Sequence, residues 1–295
     1  MRPGSGLVGR LAVRAISVTS TRRSGTPGGP HTTLPIDVSE VRVPTRRGDV
    51  RCLIYTSTAV SKPMPVYVNL HGGGFVIAYP EQDDGWCRFL AHACRATVVS
   101  VDYAVAPRKP FPIAFEQIQD VVRWAASPSR PWDGSRLALG GQSAGGNLAA
   151  AVCRAGSPAP VRLQVLQYPP LDLTIDPGNK PHPKGAIPPF LARAFDAAYA
   201  PSASLRADPG VSPGRKVEAR DLLDVPQAVV VLCGRDSLEP EGREYAGVLA
   251  AAGRLVDLIE VPESGHGYDH SRTVTPERVD EIYARVASHV KAGLS

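Results

Sequence analysis

Leu137-Ala138-Leu139-Gly140-Gly141-Gln142-Ser143-Ala144-Gly145-Gly146-Asn147-Leu148 decides how this chain is read. A short apolar run ends in glycines, and an alanine-rich segment of helical composition begins directly after Ser143. Gly141 and Gly145 stand two residues to either side of that serine, which is the G-x-S-x-G spacing of a sharp strand–turn–helix. In such a turn a side chain at either flank would collide with the neighbouring strand or helix, so glycine is required there. The geometry lifts Ser143 to the carboxyl end of a strand and sets a helix N-terminus behind it, where negative charge is favoured. By itself the pattern also describes an ordinary glycine-rich βα turn. The companions of Ser143 must decide between the two.

Composition narrows the field. A chain of 295 residues can bury one large α/β core. The net charge of +5 comes from scattered arginines, with no basic run interleaved with aromatics, so it reads as solvated surface and excludes a nucleic-acid partner. Cys52, Cys87, Cys94, Cys153 and Cys233 are odd in number and lack metal-ligand spacing. Three of them sit in apolar or helical stretches and read as small buried hydrophobes; a reducing cytoplasm fits, with no metal implied. No apolar run reaches the length of a membrane span, so stable membrane insertion is not expected. Arg10 and Arg14 interrupt the apolar patch near the N-terminus, against a secretory signal. Leu7, Leu11, Ala15 and their neighbours instead share one helical face, an amphipathic helix expected to dock on the body of the protein.

Working outward, residues 24–35 are a breaker-rich connector. Val38–Val43 and Val50–Tyr55 read as an antiparallel hairpin at a sheet edge, joined through Arg46-Arg47-Gly48-Asp49. Strands are then expected at Val66–Leu70, Thr97–Val101, Arg136–Leu139, Leu163–Gln167, Ala228–Leu232 and Val256–Val261. Helical periodicity separates them over Trp86–Cys94, Ala114–Ala126, the segment after Ser143 to about Ala155, Gly242–Ala252 and Pro276–Ala292. This alternation implies a mostly parallel sheet with helices on both faces. From Asp172 to about Leu205 the pattern is irregular and proline-rich, with one helical piece near Phe190–Tyr199. So long a connection reads as a lid.

A serine hydroxyl is a weak nucleophile without a base in hydrogen-bond reach. Of seven histidines, His31, His92, His182 and His289 fall in a connector, a helix, the irregular segment and the last helix. His71 opens the run His71-Gly72-Gly73-Gly74-Phe75, where a structural role fits. His266, between Gly265 and Gly267 after the last strand, reaches the same sheet edge as Ser143 and is the expected base, with His270 left to the surface. Asp236, after the strand Ala228–Leu232, is the expected acid. Glu239 and Glu241 lie at the next helix start, where a carboxylate complements the helix dipole, and Asp172 and Asp224 read as turn or capping residues. The order Ser143, Asp236, His266 is the one this architecture uses. The glycine run ends a strand with no Lys-Ser/Thr after it, which excludes a nucleotide P-loop. The backbone N–H groups of Gly73 and Gly74, joined by Ala144, are the expected oxyanion donors.

With these residues in place, the chain resembles the hormone-sensitive-lipase family of α/β hydrolases, the bacterial carboxylesterases and their relatives. The resemblance runs from about Val41 to the C-terminus. It rests on His71–Phe75, Gly141–Gly146, Val101–Pro107 with Phe111-Pro112, Gly234–Leu238 and Gly265–Tyr268. It implies a single domain over 1–295 with an eight-stranded, mostly parallel sheet and a helical cap from residues 1–35 and about 173–206. It implies a serine esterase acting through an acyl-enzyme on small-molecule esters of short to medium chain, with no cofactor. Gln142, Ala104, Arg108, Ser237 and Pro240 depart from the usual pattern of that family without removing any of the expected catalytic or oxyanion residues. Two other readings share these motifs: a tailoring hydrolase of secondary metabolism acting on lactones, amides or acetyl esters, and a non-catalytic ligand receptor, against which His266 stands. Oligomeric state is not written in the sequence, and a homodimer is among the arrangements it allows.

Overall fold

The computed structural model describes residues 31–57, 63–271 and 273–295. The expected helix over Leu7–Ile16, and with it most of the N-terminal part of the cap, lies outside the described residues. Eight strands are present: β1 Ile36–Val43, β2 Val50–Ser57, β3 Pro65–Leu70, β4 Thr97–Asp102, β5 Asp133–Gln142, β6 Leu163–Gln167, β7 Gln227–Cys233 and β8 Leu255–Val261. They form one sheet in the order β1-β2-β4-β3-β5-β6-β7-β8. The β1–β2 hairpin is antiparallel and sits at the edge as expected, β2 meets β4 antiparallel, and every other pairing is parallel.

The central strands are apolar almost without interruption because both faces are covered. Side chains alternate between two cores as the two-residue period requires. Val66, Val68 and Leu70 of β3 face one core while Tyr67 faces the other. The first core is covered by helices α2 (Ile113–Ala125), α3 (Ala144–Arg154) and α6 (Glu239–Ala251), the second by α1 (Asp84–Cys94) and α7 (Pro276–Gly293). Burying each large apolar side chain in these layers contributes roughly 1.5–3 kcal/mol. All five cysteines are buried and unpaired within them.

One strand is longer than its composition suggests. β5 runs to Gln142, three residues past Leu139, because Gly140 and Gly141 pair with Asn69 and Leu70 on one side and with Val165 and Leu166 on the other. Glycine weakens an isolated strand, which is why the sequence pattern stops short. Here it is needed: a Cβ on Gly140 would strike the Tyr67 hydroxyl and the Val165 backbone.

Between β6 and β7 the long segment carries 3-10 turns at Pro177–Asn179 and Ala219–Leu222 and two helices, α4 (Pro189–Tyr199) and α5 (Ala203–Arg206). It folds over the carboxyl edge of the sheet. The Tyr199 ring at the end of α4 stacks on Phe75 with centroids 4.0 Å apart, and the Tyr199 carbonyl accepts from Phe111 N.

A buried carboxyl sits behind this edge. Asp83 closes the 3-10 turn Pro80–Asp83 and accepts from Asn69 Nδ2 at 2.9 Å, while its second oxygen has no partner among the described residues. Burial pushes this acid up to about 7, against a smaller pull downward from Asn69. The folded chain therefore holds a proton that the unfolded chain releases near pH ~4, so this group's contribution to stability falls as pH rises from there through about 7. Melting curves between pH 5 and 8 are expected to show a smaller loss of Tm with pH in Asp83→Asn than in the native chain. Parallel curves would contradict the assignment.

Candidate active site

β5 ends at Gln142, α3 begins at Ala144, and Ser143 between them has φ 52° and ψ −118°. A positive φ on a residue with a side chain is a strained conformation costing on the order of 1–3 kcal/mol, and it persists only where its surroundings enforce it. The enforcement is visible. A Cβ on Gly145 or Gly141 would run into the Leu70 carbonyl at the end of β3. The turn is therefore pressed directly onto its neighbouring strand. Ser143 N donates to Gln167 O at 2.8 Å, and the fully buried Asn147 donates from Nδ2 to Pro170 O and Val211 O, tying α3 to the flanking loops.

The loops after β7 and β8 deliver the partners. His266 Nε2 lies 2.8 Å from Ser143 Oγ, and His266 Nδ1 lies 2.6 Å from Asp236 Oδ2. Asp236 is 2% exposed, and its other oxygen accepts from Leu238 N, so the carboxylate is held in place on both sides. With Asp236 Oδ2 accepting from the Nδ1–H, Nε2 is left to accept from the serine hydroxyl. All three expected residues are brought together.

The glycine run lies against the serine. A Cβ on Gly72 would come within 3.6 Å of Ser143 Cβ. Gly73 (φ 122°) and Gly74 (φ 58°) turn the chain so that the Gly73 carbonyl accepts from Val76 N and Ile77 N. Among the described residues no carbonyl accepts from the N–H of Gly73 or Gly74. Ala144 is the first residue of α3, so its N–H has no partner within the helix either. His71 takes the structural role read for it. It is fully buried, stacks on Tyr103 at 4.3 Å and donates from Nδ1 to Gly72 O, and burial lowers its pKa to about 4, which keeps the ring neutral.

The remaining candidates separate as follows. His270 is exposed, and His31 and His289 pair with Asp280 and Asp257. Asp172 serves a turn through Thr174. Glu239 pairs with Arg243 one turn on. Glu241 does more than complement a helix dipole: it is buried and ion-paired to Lys180 at 2.6 Å. Of the departures, Ala104 N donates to the buried Gln117 side chain, Arg108 is exposed, and Gln142 is buried with neither amide atom partnered among the described residues.

Sequence reasoning missed two contributors. Tyr168, at φ 40°, sets its ring edge-on to His266 with centroids 5.2 Å apart, and its hydroxyl donates to Asp269 at 2.7 Å. Only the place of Tyr168 at a strand end could have flagged it. The second is Gly185 in the long segment, whose carbonyl accepts from His266 N at 3.2 Å. A Cβ on Gly265 would clash with the Gly185 backbone.

In front of Ser143 and Gly74 opens a pocket. Leu173, Ile187, Phe195 and Leu238 supply apolar wall, and Lys180, Asp196 and Ser237 supply polar points.

Comparison with known proteins agrees with this architecture. Residues 67–270 match the family described as alpha/beta hydrolase fold. Esterase LipI of Mycobacterium tuberculosis is 36% identical over 223 residues, covering 72% of this chain and 68% of that protein. Carboxylic ester hydrolase LipN of the same organism is 32% identical over 256 residues, covering 79% of this chain and 64% of that one. The chain thus spans about two thirds of the length of each of these relatives. A solved structure of an esterase from Pyrobaculum calidifontis superposes with a TM-score of 0.75 at 28% identity, over 99% of this chain and 94% of that one. The chain belongs to the α/β-hydrolase fold family, as a member of its hormone-sensitive-lipase type.

The pressed turn makes a definite demand on position 145. Gly145→Ala is expected to destabilise the fold by at least about 3 kcal/mol, because the clash is with backbone that cannot step aside. Denaturant unfolding measures this, and a variant of native stability would mean the turn is less constrained than described.

Proposed function

We propose that this carboxylic ester hydrolase is a serine enzyme in which Ser143, His266 and Asp236 carry the chemistry. Ser143 Oγ attacks the ester carbonyl as His266 Nε2 takes its proton, and Asp236 fixes the tautomer and balances the imidazolium that forms. The tetrahedral oxyanion accepts from the N–H groups of Gly73, Gly74 and Ala144, donors set before the reaction begins. Collapse of the intermediate returns the proton from His266 to the leaving alcohol. Water, activated by the same imidazole, then releases the acid from Ser143.

The observation that carries this reading is the unbroken relay from Ser143 Oγ through His266 to Asp236, with contacts of 2.8 and 2.6 Å. It faces a pocket whose apolar wall of Leu173, Ile187, Phe195 and Leu238 suits an acyl or alcohol limb of short to medium length. We further propose that the segment around 173–206 serves as the cap over that limb within a single domain spanning 1–295. The five buried, unpaired thiols support a reducing cytoplasm as its location. Among the described residues no helix is long and apolar enough to cross a membrane.

Two measurements test the proposal. Ser143→Ala is expected to lose p-nitrophenyl ester turnover and labelling by a fluorophosphonate while its Tm stays close to native, and Asp236→Asn should cost on the order of 10³–10⁴ in kcat. Retained turnover in Ser143→Ala excludes the mechanism. Along a series of p-nitrophenyl esters, butanoate and hexanoate should exceed palmitate in kcat/KM at least about tenfold. A preference for palmitate would instead indicate action on long chains.

A further inference from the structure

The pocket beside Ser143 holds ionisable groups that the hydrolytic mechanism does not use. Lys180 and Glu241 are joined at 2.6 Å with side chains only 8% and 7% exposed. Glu241 is fully engaged, since its other oxygen accepts from Leu171 N at 2.7 Å. Lys180 is not: an ammonium has three donors, Glu241 takes one, and no other side-chain acceptor meets Lys180 among the described residues. Asp196, on α4, also lines the pocket. Burial pushes it up to about 7, with a smaller downward pull from Lys180 and an upward one from Glu241.

These groups are positioned rather than loose. The segment bearing Lys180 is tied to α4 through Arg193 on that helix, which forks onto Asp176 at 2.5 to 3.2 Å. An apolar limb entering here would leave the Asp196 carboxyl and the spare Lys180 donors facing hydrocarbon, which is unfavourable. A limb carrying a hydroxyl group would meet both, with Asp196 accepting its proton and Lys180 donating to its oxygen. Discrimination is strongest where a site built to bond a hydroxyl meets an analogue lacking one.

We propose that Lys180 and Asp196 form a hydroxyl-recognition point in the substrate pocket, so that the enzyme prefers esters hydroxylated on the limb that occupies it. The proposal rests on the serine-esterase reading above and names a substrate class for the same site. Lys180 and Asp196 set specificity and take no part in bond making.

The test compares two ester pairs, each rate normalised to its hydroxide-catalysed hydrolysis. One is p-nitrophenyl 3-hydroxybutanoate against p-nitrophenyl butanoate. The other is 3-hydroxybutyl butanoate against butyl butanoate, followed by acid release. In one pair the hydroxylated ester should lead in kcat/KM by about ten- to a hundredfold, as expected for hydrogen bonds to charged groups. Asp196→Leu should bring that ratio close to one, while Asp196→Asn, which keeps a carbonyl acceptor, should retain most of it. Lys180→Met alone would strand Glu241, so it is made together with Glu241→Gln, and the ratio should fall several-fold there too. That double variant also carries the test if Asp196→Leu does not fold, and fluorophosphonate labelling of Ser143 shows which variants are intact. A native ratio below about threefold in both pairs, or an unchanged ratio in a labelled Asp196→Leu, overturns the proposal. Absence of turnover on all four esters together with absence of labelling would overturn the esterase reading itself, and the recognition point with it.

Discussion

The contact on which the rest depends is the approach of Gly141 and Gly145 to the Leu70 carbonyl. It leaves no space for a Cβ on either side of the turn, so α3 can start only where it does, directly against the end of β3. Ser143 is then forced into a left-handed backbone conformation that a serine would not choose. The same contact brings the end of β3, and so the His71–Gly74 run, beside the serine. One close packing of backbone on backbone thus sets both the position of the hydroxyl and the place of the amide groups around it.

The rest of the sheet supplies the partners with little extra machinery. Because β3, β5, β6, β7 and β8 are parallel, every loop that leaves their carboxyl ends opens on one side. Asp236 and His266 follow β7 and β8 by only a few residues, short enough for the strand register to dictate where they arrive. Tyr168, leaving β6, stands edge-on to His266, so the imidazole meets a ring as well as its two hydrogen bonds.

Much of this was legible in the sequence, for identifiable reasons. Glycines flanking a serine, a histidine between glycines and an aspartate just past an apolar strand are each demanded by local backbone geometry, which leaves a residue-level trace. The strand–helix alternation is equally explicit. What was not legible depends on distant segments meeting. Gly140 and Gly141 look like a break in composition and become strand only through pairing on both sides. Glu241 looks like a helix-start carboxylate and proves to be half of a buried ion pair with a lysine 61 positions earlier in the chain. Tyr168 carries no motif at all, since its role comes from the ring that happens to stand beside it.

The bond from His266 N to Gly185 O, with Gly185 and Gly265 touching backbone to backbone, has a further effect on how the molecule can move. The covering segment and the imidazole loop are fastened at a point where neither has a side chain to act as a spacer. A wide swing of that segment would have to break the bond to His266 N and part the two backbones. Adjusting side chains along the segment leaves this fastening intact, whereas hinging the whole segment would have to undo it.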